Sequence, residues 1–224
     1  MVLWFLKNKV GKNGFAINVK EKYKALETIQ VEQFKKNNSS VHSPVMNTPL
    51  TTRFLVLRKT AYSETSLIVA GLSPDHGQLH FLVRGGRRIG KKQSPVADLF
   101  RILDITFRPR HSGLLTWSSA ELDDDFTAIA ANYPAFDTAC KIAKFALTNC
   151  PENDPQPRFF HAVATALARL CEPRKSSENC ELRKIQTDVA VAYLAENGLL
   201  PDTRTVDSLD QANRILRDAE CAGM

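Results

Sequence analysis

The residues with the clearest chemical potential lie in "LVRGGRRIGKKQSP", residues 82 to 95. Gly85, four intervening residues, Gly90 and Lys91 fall one position short of the phosphate-cradling loop G-x-x-x-x-G-K-[ST]. Lys92 stands where that loop needs a Ser or Thr hydroxyl for Mg²⁺. Such a loop must also run into a helix whose N-terminus faces the phosphate. Here "QSPVADLF" follows, with Pro95 in the helix's path and strand-forming residues behind it. A nucleotide pocket is therefore rejected, and what survives is electrostatic. Arg84, Arg87, Arg88, Lys91 and Lys92 put five cations into nine positions, on a glycine-rich connection between two strands. Gly85, Gly86 and Gly90 let the main chain approach a ligand closely. Each cation that neutralises a phosphate of a nucleic acid releases counterions, which is the source of sequence-independent affinity.

Further cations fall in the same segment: Arg53, Arg108 and Arg110, together with Arg58, Lys59 and Arg101. Aromatic residues are interleaved with them, and small barrels that bind single strands stack bases on such side chains. Phe54, Phe81 and Phe107 read as core, whereas Trp117 stays with the candidate contact residues. The plain alternative for any charge run is a solvated surface. Asp123, Asp124 and Asp125 are expected at a solvated junction, capping a helix that begins near Phe126. His76, His80, His111 and His161 have no metal-ligand spacing, and Ser118 and Ser119 lack the G-x-S-x-G context of a hydrolase. Glu64 reads as a turn or salt-bridge group. No catalytic residue, metal site or cofactor is predicted.

These side chains need a scaffold, and the pattern supplies two kinds. "RFLVLRK" (53–59), "SLIVAGL" (66–72), "QLHFLVR" (78–84), "LFRILDITFRP" (99–109) and "GLLTWSSAEL" (113–122) read as five short strands split by turn-forming clusters. Close spacing of this kind predicts a small barrel closed on itself. Beyond residue 122 the period becomes helical. Asn132 is a cap candidate with Pro134 in the first turn, "RFFHAVATALARLC" repeats the pattern, "LRKIQTDVAVAYLAENG" stops at Gly198, and a last segment runs through Leu209, Ala212, Ile215 and Leu216. A groove between these helices lined by Phe160, Leu167 or Tyr193 is expected to take protein partners. The predicted organisation is α+β: a poorly ordered basic extension or linker over 1–48, a strand-built nucleic-acid-binding domain over 49–122, and an all-helical domain over 123–224. Met46 reads like a natural start.

Charge follows that division. The net value is +6, but residues 1–45 carry +5, residues 46–118 carry +7 and residues 119–224 carry −6. A basic middle before an acidic end suits one part that meets a polyanion and another that does not. Five cysteines, an odd number without a C-x-x-C pair, fit small core thiols in a reducing cytoplasm. No apolar run approaches the roughly 18 to 20 residues of a membrane span.

"VLRKTAYSETSLIVAGLSPDHGQLHFLVRGGRR" resembles the opening of the bacterial recombination mediator RecO family. The shared order is a strand, Tyr62-x-Glu64, a strand, a turn ending His76-Gly77, and a strand running into Gly85-x-Arg87-Arg88. "LFRILDITFRPRHSGLLTWSSAEL" and, more weakly, "YLAENGLLPD" continue the match. The resemblance implies a five-stranded OB-fold barrel followed by a helical domain, with no enzymatic activity. It implies binding of single- and double-stranded DNA, annealing of complementary strands, and contacts with RecR and the C-terminal tail of single-stranded DNA-binding protein. Together these help load RecA onto gapped DNA at the bacterial nucleoid. Many members carry a four-cysteine zinc module near the C-terminus. "PDTRTVDSLDQANRILRDAEC" has only Cys221, so no zinc is expected. Two other readings of the same barrel and charge are an OB-fold RNA-binding protein of translation or ribosome assembly, and a protein-binding adaptor with an incidental basic loop.

Overall fold

A computed structural model describes residues 48–87, 97–109, 113–172, 178–200 and 206–221. The expected extension lies outside these residues but for Thr48, as do Arg88, Lys91, Lys92 and Arg110. Five strands come first: β1 (Leu50–Ala61), β2 (Leu67–Ser73), β3 (Gly77–Val83), β4 (Arg101–Phe107) and β5 (Trp117–Asp125). They form one sheet in the order β3-β2-β1-β4-β5 with every pairing antiparallel. The ladder itself stays open. Its two edges meet at one parallel bridge, where Leu115 N–H donates to the His80 carbonyl (2.9 Å) and Leu82 N–H donates to the Leu115 carbonyl (2.8 Å). The sheet is an OB-fold, and helices follow it. After a 3₁₀ turn (Thr127–Ala131) come α1 (Tyr133–Asn149), α2 (Pro157–Cys171), α3 (Glu178–Glu196) and α4 (Leu209–Cys221).

The sheet buries both faces along its centre. Alternate residues of a strand point to opposite sides, and in β1 Phe54 and Val56 join the barrel interior with Val69, Phe81, Leu103 and Ile105. Leu55 and Leu57 point the other way, into a second core shared with Phe100, Ile102 and the helical residues Ile142, Phe159, Leu167 and Ile185. That is why "FLVL" is an unbroken apolar run and not an alternating one. Each such side chain contributes roughly 1.5–3 kcal/mol on full burial. The helices thus cover the outer face of β1, β2 and β4.

Local signals set the helix ends. Asn132 Oδ1 accepts from Ala135 N–H (3.1 Å) and Pro134 lies in the first turn of α1, as the sequence predicts. The start of α2 has no side-chain cap of its own. Glu196, from the end of α3, supplies one by accepting from the N–H groups of Arg158 (3.1 Å) and Phe159 (2.6 Å). Two expectations are corrected here. Phe160 and Leu167 line no groove, because both are buried in the shared core; Tyr193 is mostly buried, donates its hydroxyl to the Asn149 carbonyl (2.6 Å) and lines a pocket with Asn149, Asn197, Leu199 and Leu216. The thiols are not uniformly core residues, since Cys180 and Cys221 are exposed.

The loop between α1 and α2 is fastened to the start of β3. Gln78 N–H donates to the Pro151 carbonyl (3.0 Å). In the orientation that satisfies both ends of its amide, Gln78 donates to the carbonyls of Leu147 (3.1 Å) and Cys150 (2.9 Å) and accepts from His80 Nε2 (2.9 Å). Burial keeps His80 neutral near pH 7. Burial first, and the Arg58 guanidinium second, push its pKa down to about 4. Glu152, 3.5 Å away, is mostly in solvent and does not reverse this. Gly77 completes the junction: its φ is +64°, and a Cβ there would stand 2.4 Å from the Asp154 carbonyl oxygen and 2.5 Å from that of Pro151.

Two outcomes follow. Gly77→Ala is expected to lower unfolding free energy by more than about 1 kcal/mol, since alanine meets both a left-handed backbone and a backbone clash. A urea midpoint equal to that of the parent would contradict this close approach. For His80 the sign runs toward acid instability, because the group is neutral when folded and free to protonate when unfolded. Its contribution is complete above about pH 6.5 and is lost as pH falls from there toward 4, by about 3 kcal/mol in all. Urea unfolding at a series of pH values should show a shallower acid loss for His80→Gln than for the parent, and parallel profiles would refute it.

Candidate nucleic-acid interface

Two turns meet at the end of the sheet where β1 finishes, β2 begins and β3 ends; the ladder sets Ala61, Leu67 and Val83 level with one another. In the β1–β2 turn, Tyr62 N–H donates to the Ser66 carbonyl (3.1 Å) and Ser66 N–H donates to Ser63 Oγ (3.2 Å). The second turn, residues 84–87, leaves β3 with Gly85 at φ +73°. It is docked on the first by Arg87, whose backbone N–H donates to the Thr65 carbonyl (3.1 Å) and whose Nη1 donates to the Ser63 carbonyl (2.7 Å). Both arginines of this turn are exposed. Arg87 is held by a neutral carbonyl and makes no ion pair among the described residues. Arg84 makes no ion pair among the described residues.

Other cations of the sheet are differently placed. Arg53, expected to contact DNA, donates from Nε to Asp123 Oδ2 (2.8 Å), lies 3.5 Å from Asp124, and stands 5.8 Å over the Phe160 ring. Lys59 pairs with Asp98, and Arg101 with Asp125 at 3.0 Å. Burial pushes the Asp98 carboxyl up, but the hydrogen bond and charge of Lys59, the Leu99 N–H and Arg101 outweigh it and the net shift is downward. The same balance lowers Asp125, with Thr127 and Arg101 opposing burial. The three aspartates expected at a solvated junction therefore lie on β5. Asp125 does accept from Thr127 N–H (2.9 Å) where the 3₁₀ turn begins, but Asp123 and Asp125 also hold arginines of β1 and β4. Sequence reasoning missed this neutralisation. Its one signal is the run of acids on a strand that must pair beside a basic one.

The interleaved aromatics turn inward as a cluster. Phe81 meets Phe54 at 5.0 Å, Phe107 at 5.4 Å and Trp117 at 5.2 Å between ring centres. Trp117 is half-buried against them. Arg108 is exposed and follows directly on Phe107, at the seam where β3 and the lead into β5 meet, while Arg84 follows β3 itself. Arg84 and Arg87 thus stand together on one turn beyond the end of β1, Arg108 follows Phe107 at the register of the start of β1, and Arg53 is held in an ion pair. Exposed guanidinium groups on a firmly held turn can bind phosphates, and they offer no group for covalent or acid–base chemistry. Among the described residues, no group of three or more His, Cys, Asp or Glu could hold a metal ion, and no helix is long and apolar enough to cross a membrane.

Comparison with known proteins follows the same lines. Residues 46–126 match the family model described as "Recombination protein O N terminal". The chain is 32% identical over 122 residues to DNA repair protein RecO of Chelativorans sp. (strain BNC1), covering 53% of this chain and 47% of that protein. It is 25% identical over 185 residues to DNA repair protein RecO of Salinibacter ruber (strain DSM 13855 / M31), covering 73% of this chain and 71% of that protein. The protein of the same name from Bacillus subtilis (strain 168) is 26% identical over 118 residues, covering 53% of this chain and 46% of the relative. The chain spans about half the length of the first and third of these relatives. With an OB-fold sheet, a helical continuation and a family match that runs over residues 46–126, the chain carries a region similar to the N-terminal domain of the RecO family.

Proposed function

We propose that this protein is a DNA-binding mediator of recombinational repair, binding single- and double-stranded DNA through the basic end of its sheet. The observation that carries the reading is the contrast in charge placement. Arg53, Lys59 and Arg101 are neutralised by aspartates, while Arg84 and Arg87 stand exposed on a turn bonded only to backbone carbonyls. Arg88, Lys91 and Lys92 extend this turn in sequence, and Arg108 and Arg110 add further cations to the segment. Two strands held on such a surface repel one another less, and base pairing then drives annealing without any bond made or broken by the protein. Similarity to DNA repair proteins supports repair as the setting. In that setting the helical region engages RecR and the C-terminal tail of single-stranded DNA-binding protein, and RecA is loaded onto the gap.

The test is a salt titration of oligonucleotide binding. Arg84→Ala with Arg87→Ala should weaken binding and reduce the slope of log affinity on log salt by about one to two units. Arg53→Ala should leave the slope as it is. Undiminished binding by the double variant removes this turn as the contact. Competition with RNA of the same sequence decides the class of ligand: preference for RNA would place the protein with RNA-binding barrels of translation or ribosome assembly.

A further inference from the structure

The basic turn has an aromatic neighbour. Tyr62 is 46% exposed and is the one aromatic of the sheet and its turns, among the described residues, that faces solvent. Phe54, Phe81, Phe100 and Phe107 are buried at 3% exposure or less, and Trp117 leans on Phe81. Tyr62 is also held in place. Its N–H is bonded to Ser66, and the carbonyl of the next residue, Ser63, receives the Arg87 guanidinium at 2.7 Å. An exposed ring therefore stands on one of two turns fastened to each other by two hydrogen bonds from Arg87, and the other turn carries two exposed cations.

We infer that Tyr62 is a base-stacking residue that makes this interface prefer unpaired over paired DNA. The inference rests on the DNA-binding reading above and adds to it the discrimination that cations alone do not supply. Phosphates are present on single strands and duplexes alike, so Arg84 and Arg87 hold either. An exposed ring stacks only on a base whose face is free, which a duplex hides. Stacking displaces no counterions, so its contribution is insensitive to salt, whereas that of the arginines is not.

Fluorescence anisotropy with a labelled oligo-dT and a duplex of equal length, over a range of salt, separates the two terms in the full chain. Tyr62→Ala should weaken oligo-dT binding about tenfold at every salt concentration, leaving both the salt slope and duplex affinity unchanged. Tyr62→Phe should bind as the parent does, because the ring and not the hydroxyl acts. Equal loss on duplex, a changed slope, no loss, or a Phe variant as weak as the Ala variant would each overturn the role. In parallel, oligo-dT bearing 5-iododeoxyuridine should photocross-link the unaltered protein at Tyr62. Cross-links mapping only elsewhere would overturn it even if the variants failed to fold. The arginine double variant reports separately. If it binds undiminished while Tyr62→Ala is weak, the cation reading fails and the ring survives; if the parent protein binds no DNA, both fall.

Discussion

Burial of β1 on both faces is the constraint on which the rest of the molecule depends. Phe54 and Val56 fill the barrel while Leu55 and Leu57 seat the helices, so neither core can form without the same strand in register. A one-residue slip would exchange the two sets of side chains and spoil both cores at once. The register is further set by the bulge between Val56 and Arg58 and by the clasp of Gly77, Gln78 and His80 on the loop between α1 and α2. Sheet and helices therefore share apolar burial.

That arrangement decides where charge can go. β1 is flanked by apolar layers in its middle, so its arginines and lysines sit near its ends, within reach of β5 and the loop before β4. There Asp123 and Asp98 take up Arg53 and Lys59, and Asp125 takes up Arg101 of β4. Such partly exposed pairs add little stability, on the order of 0–1 kcal/mol each. Their larger effect is on the field around the sheet, because they cancel positive charge along its flank and leave it at the turn that carries Arg84 and Arg87. A basic segment becomes a basic end.

Much of this was legible beforehand. The five strands and four helices follow from runs of β-branched and aromatic residues giving way to a 3.6-residue period, and Asn132 with Pro134 marked the start of α1 correctly. The candidate site was legible as a set of residue types and not as a surface. Arg84 and Arg87 are found exposed, whereas Arg53 is paired with Asp123, a pairing the sequence could not show because the partner lies 70 positions away. Phe160 and Leu167, expected to line a groove, are buried for a related reason: a helical stripe shows that a face is apolar, and not which neighbour already occupies it.

Local periodicity, capping residues and turn composition are carried by neighbours in the chain, so the residue order by itself determined the elements, their sequence and the concentration of cations between β3 and β4. Charge pairing, the inward turn of Phe81, Phe107 and Trp117, and the outward placing of Tyr62 depend on which strands become neighbours. Only the tertiary structure decided them, because an ion pair or a ring contact acts over a few ångströms of space regardless of the length of chain between its partners.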